Sequence, residues 1–398
     1  MTGMLPVSVI VVSRHRPTEL ALCLAGIRRQ DHPNFELIVV ADPAAAATCP
    51  VDAKSVLFDE ANIAEARNRG LAVAAGDVVA FIDDDAVPEP RWLSRLTAPF
   101  ADSEVSAAGG FVIGRNGISH QWNASVADRH GRSVPLEVDL AGVSVLQGAP
   151  GRAIRTEGTN CAFRRSTLAE VGGFDPTFRF YLDETDLNMR LAERGLKTAI
   201  VPRARVHHAY AASDRRRADR TPTDLTEIGA SQAVFLRKHA PETEHVGAMG
   251  GFRAEQERRI QRLLRSGSID GEAAARLLET LDRGIAEGMR RPLGRLAPLP
   301  GTAPDFLPLP AGNGRVHVSA GWTWQSKALS QAARARGESE TAVVLLFSPT
   351  ARYHRLRFTG THWEQRGGLF GKSDRSDPLF RFWRRKWRFN REVKRLDF

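Results

Sequence analysis

Cysteine is scarce in this chain: Cys23, Cys49 and Cys161 are the only three among 398 residues. They are too few and too scattered for a disulfide framework or a structural zinc site, so a reducing, cytosolic setting is expected. Long apolar runs are also missing. No uninterrupted apolar segment approaches the ~18–20 residues a helix needs to span a bilayer, which argues against a membrane-embedded polymer synthase. The opening residues, Met1-Thr2-Gly3-Met4-Leu5-Pro6, carry neither a basic n-region nor a long apolar h-region, and no secretory signal is expected. No internal repeat is evident.

The remaining composition is that of a soluble globular chain, 42% hydrophobic and 26% charged. Its length suffices for a catalytic domain and one or two smaller units. The net charge is +10, and from Ala351 to Phe398 fourteen Lys/Arg stand against five Asp/Glu, a difference of nine. Most of the positive excess therefore lies late in the chain.

Short β-branched runs alternate with helical patterns. Val7 to Val12 and Phe35 to Val40 read as buried strands, Ser55 to Phe58 as a third, and Val78 to Ile82 as a fourth. Helices are expected from Thr18 through Leu20, Leu22, Leu24 and Ile27, and from Ile63 to Ala74. This alternation predicts an α/β fold with a mostly parallel sheet and helices on both faces. Ligands bind beyond the carboxyl ends of strands in such sheets. Ser13, Asp42 and Asp83 all fall at that edge and can face one ligand.

The fourth strand runs into Asp83-Asp84-Asp85. Three carboxylates at the end of a buried strand repel one another and cost desolvation energy. A hard divalent cation with oxygen ligands would resolve the repulsion and could clamp a diphosphate leaving group. A solvated acidic turn is the plainer alternative.

From Ala101 to Gly151 the pattern is less legible and suggests connecting strands and a loop. A short helix starts at Ser166-Thr167-Leu168 and closes at Gly172-Gly173. Asp183 to Arg194 reads as a helix capped at Gly195, and Lys197 to Pro202 as a strand leading to His207-His208. The charged run Asp214 to Arg220 reads as mobile. Asp224 to His239 and Ala254 to Met289 read as helices. The organisation expected is a catalytic domain over 1–212, a helical extension over 213–291, a Pro/Gly-rich linker over 292–314, and a small α/β module with a basic aromatic tail over 315–398. In that module, strands at Val316 to Val318 and Ala342 to Phe347 flank a helix at Ser326 to Ala335.

The order of these motifs resembles the family 2 inverting glycosyltransferases of the GT-A fold, over about residues 5–210. The resemblance is carried by Ser13-Arg14-His15-Arg16, the strand ending at Asp42, Asn62 to Gly70, Phe81 to Asp85, Gly172 to Asp175, Asp183 to Leu187, and Val201 to His208. It implies a nucleotide-diphospho-sugar site. Asp42 would accept hydrogen bonds from the nucleotide base, and Arg67 would lie near the base or diphosphate. Ser13, Asp83 and Asp84 would line the nucleotide-sugar, Asp83 at the ribose or the metal's water shell and Asp84 at the sugar or in support of the loop. Asp85, with Asp83 and His208, would hold Mn²⁺ or Mg²⁺. In the acidic pair, Glu184 takes the usual position of the base and Asp183 is the near alternative. Two departures stand out: His15 where family members often carry Asn, and Asp42-Pro43 where they carry Asp-Gly-Ser.

The resemblance implies a metal-dependent transferase moving one sugar, with inversion, from a nucleotide-sugar to a glycan, glycolipid or glycoprotein acceptor in cell-surface glycan assembly. A UDP-sugar is the default donor, with dTDP and GDP open. Homo-oligomers are compatible. A non-catalytic nucleotide-sugar-binding or scaffolding protein is the alternative, and nucleic-acid binding by the basic tail a weaker one, since no nucleic-acid module is visible. Trp122, Trp322 and Trp324 suit either sugar stacking or core packing. Phe380, Trp383 and Trp387 are spaced at helical i, i+3, i+7, extended by Val393 and Leu396. That pattern suits either an interfacial helix on the anionic inner face of the cell membrane or a helix docked on protein. A cytoplasmic, peripherally bound location follows from the first.

Overall fold

Four apolar runs, each too short for a helix and rich in Val and Ile, form the parallel heart of the sheet: β1 (Val7–Ser13), β2 (Phe35–Ala41), β3 (Lys54–Leu57) and β4 (Val78–Asp83). Their spatial order is β3-β2-β1-β4, all parallel. The structure, a computed structural model, describes residues 4–209, 212–294, 296–299, 305–336, 340–396 and 398. The reading of the first three residues, and the parts of the linker at 295 and 300–304, lie outside these. The helices α1 (Pro17–Ile27), α2 (Pro43–Ala46) and α3 (Ile63–Ala72) make the crossovers. Alternation along β1 explains the two cores. Val7, Val9 and Val11 pack with Leu20, Leu24 and Ile27 on one face, while Ile10 joins Ile38, Val40, Phe81, Phe163 and Phe174 on the other. Both faces are covered, so the runs are continuously apolar.

The stretch that was hard to read completes this sheet. After β5 (Ala86–Pro88) and α4 (Trp92–Thr97) comes the nine-residue β6 (Val105–Ile113), edged by β7 (His120–Trp122). The strands β8 (Ser125–Asp128), β9 (Ser133–Pro135) and β11 (Arg152–Arg155) make a separate small sheet, and β10 (Ser144–Gln147) caps the large one. β12 (Cys161–Arg164) inserts antiparallel between β4 and β6. It is followed by α5 (Arg165–Val171), α6 (Asp183–Glu193) and the twelve-residue β13 (Lys197–His208), which lies parallel to β6. The path β10-β13-β6-β12-β4-β1-β2-β3 is mostly parallel, as the alternating pattern predicts.

Three helices follow: α7 (Thr226–His239), α8 (Glu242–Arg265) and α9 (Gly271–Arg290). The pattern from Ala254 to Met289 is thus two helices, broken after Ser266 where Gly267 takes φ +69°. α7 packs on α6 through Phe235, Phe178 and Met189. It also supplies Lys238 and His239 to the fully buried Asp186, which Arg190 pairs from its own helix. No helix among the described residues is long and apolar enough to cross a membrane.

The Pro/Gly-rich segment is no free spacer where it is described. Leu299 N donates to Ala169 O, Leu309 bridges Phe35 at the start of β2, Leu307 N donates to the buried Glu36, and Gly312 N donates to Gln30 O. It straps the part built on the large sheet before entering the last module. There β14 (Val316–Trp322), α10 (Ser326–Arg336), β15 (Thr341–Ser348), β16 (Arg355–Phe358), β17 (Trp363–Gly368) and α11 (Arg385–Leu396) build a four-stranded sheet of order β14-β15-β17-β16. Helix α11 begins at Arg385, so Phe380 and Trp383 precede it and the expected i, i+3, i+7 stripe does not form. Val393 and Leu396 instead pack inward with Val343, Leu345 and Trp363. The module docks on the end of β13: Arg205 Nη2 donates to Leu396 O at 2.7 Å, and the His207 ring lies 4.6 Å from that of Trp363.

Candidate active site

The carboxyl edge of the sheet gathers the residues that the motifs single out. β4 ends at Asp83, Asp84-Asp85 make the turn, and β5 starts at once. β5 runs antiparallel to the end of β13, with His208 opposite Ala86, and Ala209 N donates to Asp85 O at 2.8 Å. That ladder brings together acids and a histidine some 120 positions apart. Ligand atoms of Asp83, Asp85 and His208 all lie within 4.8 Å of one another. His208 Nε2 is 3.0 Å from Asp85 Oδ1, and Nδ1 is 3.1 Å from Gln121 Oε1. With the Nδ1 proton given to Gln121, the Nε2 lone pair faces a carboxylate oxygen, an arrangement that calls for a proton or a cation between them. Two carboxylates and an imidazole form a donor set that suits a divalent metal such as Mn²⁺. Trp122 flanks it, its ring 5.7 Å from that of His208.

Asp84 points away from this cluster. It is fully buried, accepts from Ser13 Oγ at 2.8 Å and pairs with Arg16 Nη2 at 2.7 Å. Burial pushes its carboxyl up to about 8, with Asp85 and Asp83 adding to the rise and Arg16 opposing it. Ser13 and Asp84 therefore hold the loop together. Arg16 also reaches Asp85 at 3.5 Å, and Arg216 reaches it at 3.4 Å. The charged run 214–220 thus does not simply wave in solvent: Ser213 and Arg216 form a bridged turn that leads back to the acids.

Asp42 sits at the same edge but spends its carboxylate on backbone. It accepts from Ala44 N and Ala45 N as the N-cap of α2, and from His15 N at 2.7 Å. Burial opposes ionisation there, and the three N–H groups outweigh it and hold the carboxyl below its usual range. His15 takes φ +57°. Asn, Asp and His are enriched in that left-handed region, which accounts for a histidine at this position.

On the other side of the site stands the N-terminus of α6. No side chain caps it, and the two residues before Asp183 are left-handed, Tyr181 at φ +73° and Leu182 at +65°. Two such non-glycine residues cost on the order of 1–3 kcal/mol each, and they aim Asp183 and Glu184 at the cluster's side of the sheet. Arg67 joins the halves. It is buried, hydrogen-bonds Asp183 through Nη1, and lies 3.4 Å from Asp83 Oδ1 through Nη2. Its guanidinium rests over the Phe174 ring, and a Cβ at Gly158 would fall 2.5 Å from it. Burial works against the Arg67 charge, but Asp183 and Asp83 outweigh it and raise the pKa. Glu184 is less enclosed than Asp183, with Arg155 Nη2 at 3.8 Å; Arg155 Nε also lies 3.3 Å from Glu157, whose carboxyl burial raises to about 8.

The structure thus brings together Asp83, Asp85 and His208, and across Arg67 the pair Asp183 and Glu184. Ser13 and Asp84 belong to the supporting loop, and Asp42 to the α2 cap. Trp322 and Trp324 lie in the last module, stacked on each other at 5.1 Å, away from the cluster. Residue patterns alone missed Gln121, Arg155, Glu157 and Arg216. None carries a local signal, because each acquires its role from a partner distant in sequence.

The profile of the family described as glycosyltransferase like family 2 matches residues 5–224. Pre-mycofactocin glycosyltransferase of Mycobacterium tuberculosis is 27% identical over 261 residues, covering 62% of this chain and 50% of that protein. The chain thus spans about half the length of that curated relative. Glucosyl-dolichyl phosphate glucuronosyltransferase of Haloferax volcanii is 34% identical over 117 residues, 28% of this chain and 34% of that protein. Among solved structures, mannosyltransferase PcManGT from Pyrobaculum calidifontis, in complex with GDP-Man and Mn²⁺, is similar with a TM-score of 0.42 and 18% identity, over 73% of this chain and 88% of that one.

Proposed function

The chain belongs to glycosyltransferase-like family 2, and on that premise we propose that it moves one sugar, with inversion, from a nucleotide-sugar donor to a hydroxyl of a glycan, glycolipid or glycoprotein. The observation that carries the reading is the Arg67 bridge, which ties a metal-capable cluster to an acidic helix start within one site. Asp83, Asp85 and His208 would hold the divalent ion, which when bound supplies Lewis-acid stabilisation of the departing diphosphate. Arg16 and Arg216, already beside Asp85, offer positive charge to the same phosphates.

Glu184 is the base. Asp183 is engaged by Arg67, whereas Glu184 is the more open of the two, with Arg155 at 3.8 Å and Asp183 beside it. It would take the acceptor hydroxyl's proton as that oxygen attacks the anomeric carbon opposite the leaving diphosphate. One displacement without a covalent enzyme intermediate inverts the centre, as in inverting hydrolases with water replaced by a sugar hydroxyl. The Arg67–Asp183 pair positions the start of α6.

Nucleotide release over a panel of UDP-, GDP- and dTDP-sugars, with and without Mn²⁺, tests the reading. Glu184→Gln should lower kcat by at least about 100-fold, the scale of a lost general base, while the variant still binds donor and metal. Retained turnover in Glu184→Gln would remove it from the role of base. Absence of turnover with every donor, together with unchanged metal-dependent nucleotide binding in Asp85→Ala, would end the enzyme reading.

A further inference from the structure

We propose that residues 379–387, which lead into α11, form a docking surface for an anionic lipid bilayer. Leu379 is 69% exposed, Phe380 59%, Phe382 74% and Trp387 61%. Four large apolar side chains this open within nine residues are unusual for a surface bathed only in water. Their charge setting is one-sided. From Pro378 to Arg391 there are six Lys/Arg and no Asp or Glu; Arg388 and Arg391 pair with Glu392 and Asp377 at its borders, which leaves Arg381, Arg384, Arg385 and Lys386 to the surface. Arg381, Arg384 and Arg385 pair with no carboxylate among the described residues and instead lie over the rings of Trp383, Trp387 and Trp322, at 4.4, 5.5 and 5.2 Å. Arginine stacked on tryptophan beside exposed Phe and Leu places cationic heads and apolar wedges at one level. A headgroup boundary with negative charge offers partners for both.

The surface is held firmly from behind. Phe370 stacks on Phe382 with ring centroids 5.6 Å apart, and Phe389, Val393 and Leu396 root α11 in the module's core. Behind them Glu392 is buried between Arg388 and Arg395. The bilayer contact is therefore the coil and first turn, not the side of a helix lying flat. Leucine and phenylalanine at the tip distinguish this surface from a nucleic-acid groove. Leu379 has no π-face for a base to stack on, and backbone recognition would need the cations alone.

The proposal is independent of transfer chemistry, and its test needs no donor. The full chain is sedimented with vesicles of phosphatidylcholine, with and without phosphatidylglycerol, over a salt series. Binding should require the anionic lipid and weaken as salt rises. Arg384→Gln/Arg385→Gln/Lys386→Gln together should weaken it by on the order of 100-fold, three basic residues each contributing about fivefold. Leu379→Ser/Phe380→Ser/Phe382→Ser should weaken binding to the same vesicles at constant charge. Neither variant reaches the module's buried core, so both should stay folded at the assay temperature, the apolar one giving up only the surface contact of Phe380 and Phe382 with Phe370. Binding that is absent, equal on neutral vesicles, or unmoved by the apolar substitutions overturns the proposal. So does a single-stranded oligonucleotide that binds more tightly than the vesicles and is insensitive to the apolar substitutions.

Discussion

Replacing Arg67 with methionine tests the strongest electrostatic claim about the site. The guanidinium is buried, bridges Asp183 and Asp83, and stacks on Phe174. Methionine keeps most of the volume and the contact with the ring. What is lost is the charge facing two carboxylates, one of them, Asp183, as buried as the arginine itself. Burial, with Glu184 beside it, raises the Asp183 carboxyl against the pull of Arg67, so the melt is read at alkaline pH, where Asp183 is charged; removing one partner of a buried ion pair there typically costs about 3–5 kcal/mol, because the other charge stays behind unpaired. For a domain of this size each kcal/mol lowers Tm by about 2–4 °C, so a fall of roughly 6–20 °C is expected in a thermal melt. The double variant Arg67→Met/Asp183→Asn removes the stranded charge and should recover at least about half of the loss, a coupling of 1.5 kcal/mol or more in a double-mutant cycle. Arg67→Lys should recover little, since one ammonium does not reproduce the fork that spans both acids. A loss below about 1 kcal/mol in Arg67→Met, or no recovery with Asp183→Asn, would refute the idea that the bridge holds the two halves of the site.

Other expectations follow from single contacts. Gln121→Leu removes the acceptor for His208 Nδ1 and should weaken Mn²⁺ binding by about 10–100-fold, measured by calorimetry on the protein without donor; unchanged affinity would dissociate Gln121 from the cluster. Glu392 is fully buried, and although burial opposes it, Arg395 and Arg388 hold its carboxyl down at about 2 against an ordinary 4.5. Its contribution, on the order of 3 kcal/mol, is complete above pH 4.5 and lost as pH falls towards 2. Urea titrations should show that acid slope, and Glu392→Gln should flatten it. Gly110→Ala would place a Cβ 2.1 Å from Ala204 O on the neighbouring strand and should destabilise by about 3 kcal/mol; a loss under a third of that in urea would mean that β6 and β13 can part.

What the sequence made legible follows physical range. β1, β2 and β4 announce themselves because both faces are buried and the apolar runs are unbroken. Asp83-Asp84-Asp85 stands out because charge repulsion is local. The division of labour within it does not stand out. Asp85 faces His208 and Asp84 turns to Ser13 only because β5, three residues long and ending in proline, pairs with β13 from the far side of the chain. Asp42 reads as a ligand-facing acid, and its capture by three backbone N–H groups depends on the short α2 and a left-handed His15. The tail aromatics match a helical period, yet the helix starts only at Arg385, after Phe380 and Trp383. Pro and Gly correctly mark 292–314 as irregular, but composition does not tell an irregular strap from a loose one.

Strand parity at the end of β13 has a consequence for how this chain can vary. His207 and His208 are neighbours on alternate faces: one is wedged between Glu89 and Trp363 of the last module, the other looks towards Asp85. Insertion or deletion of one residue between the irregular pairing after Val201 and this end would exchange the two histidines. The contact with Asp85 and the module's anchor would fail together. The fold should therefore tolerate length changes in the turns around β8 and β9, and not in the residues between Val201 and Ala209, where a one-residue change reverses which histidine faces the acids.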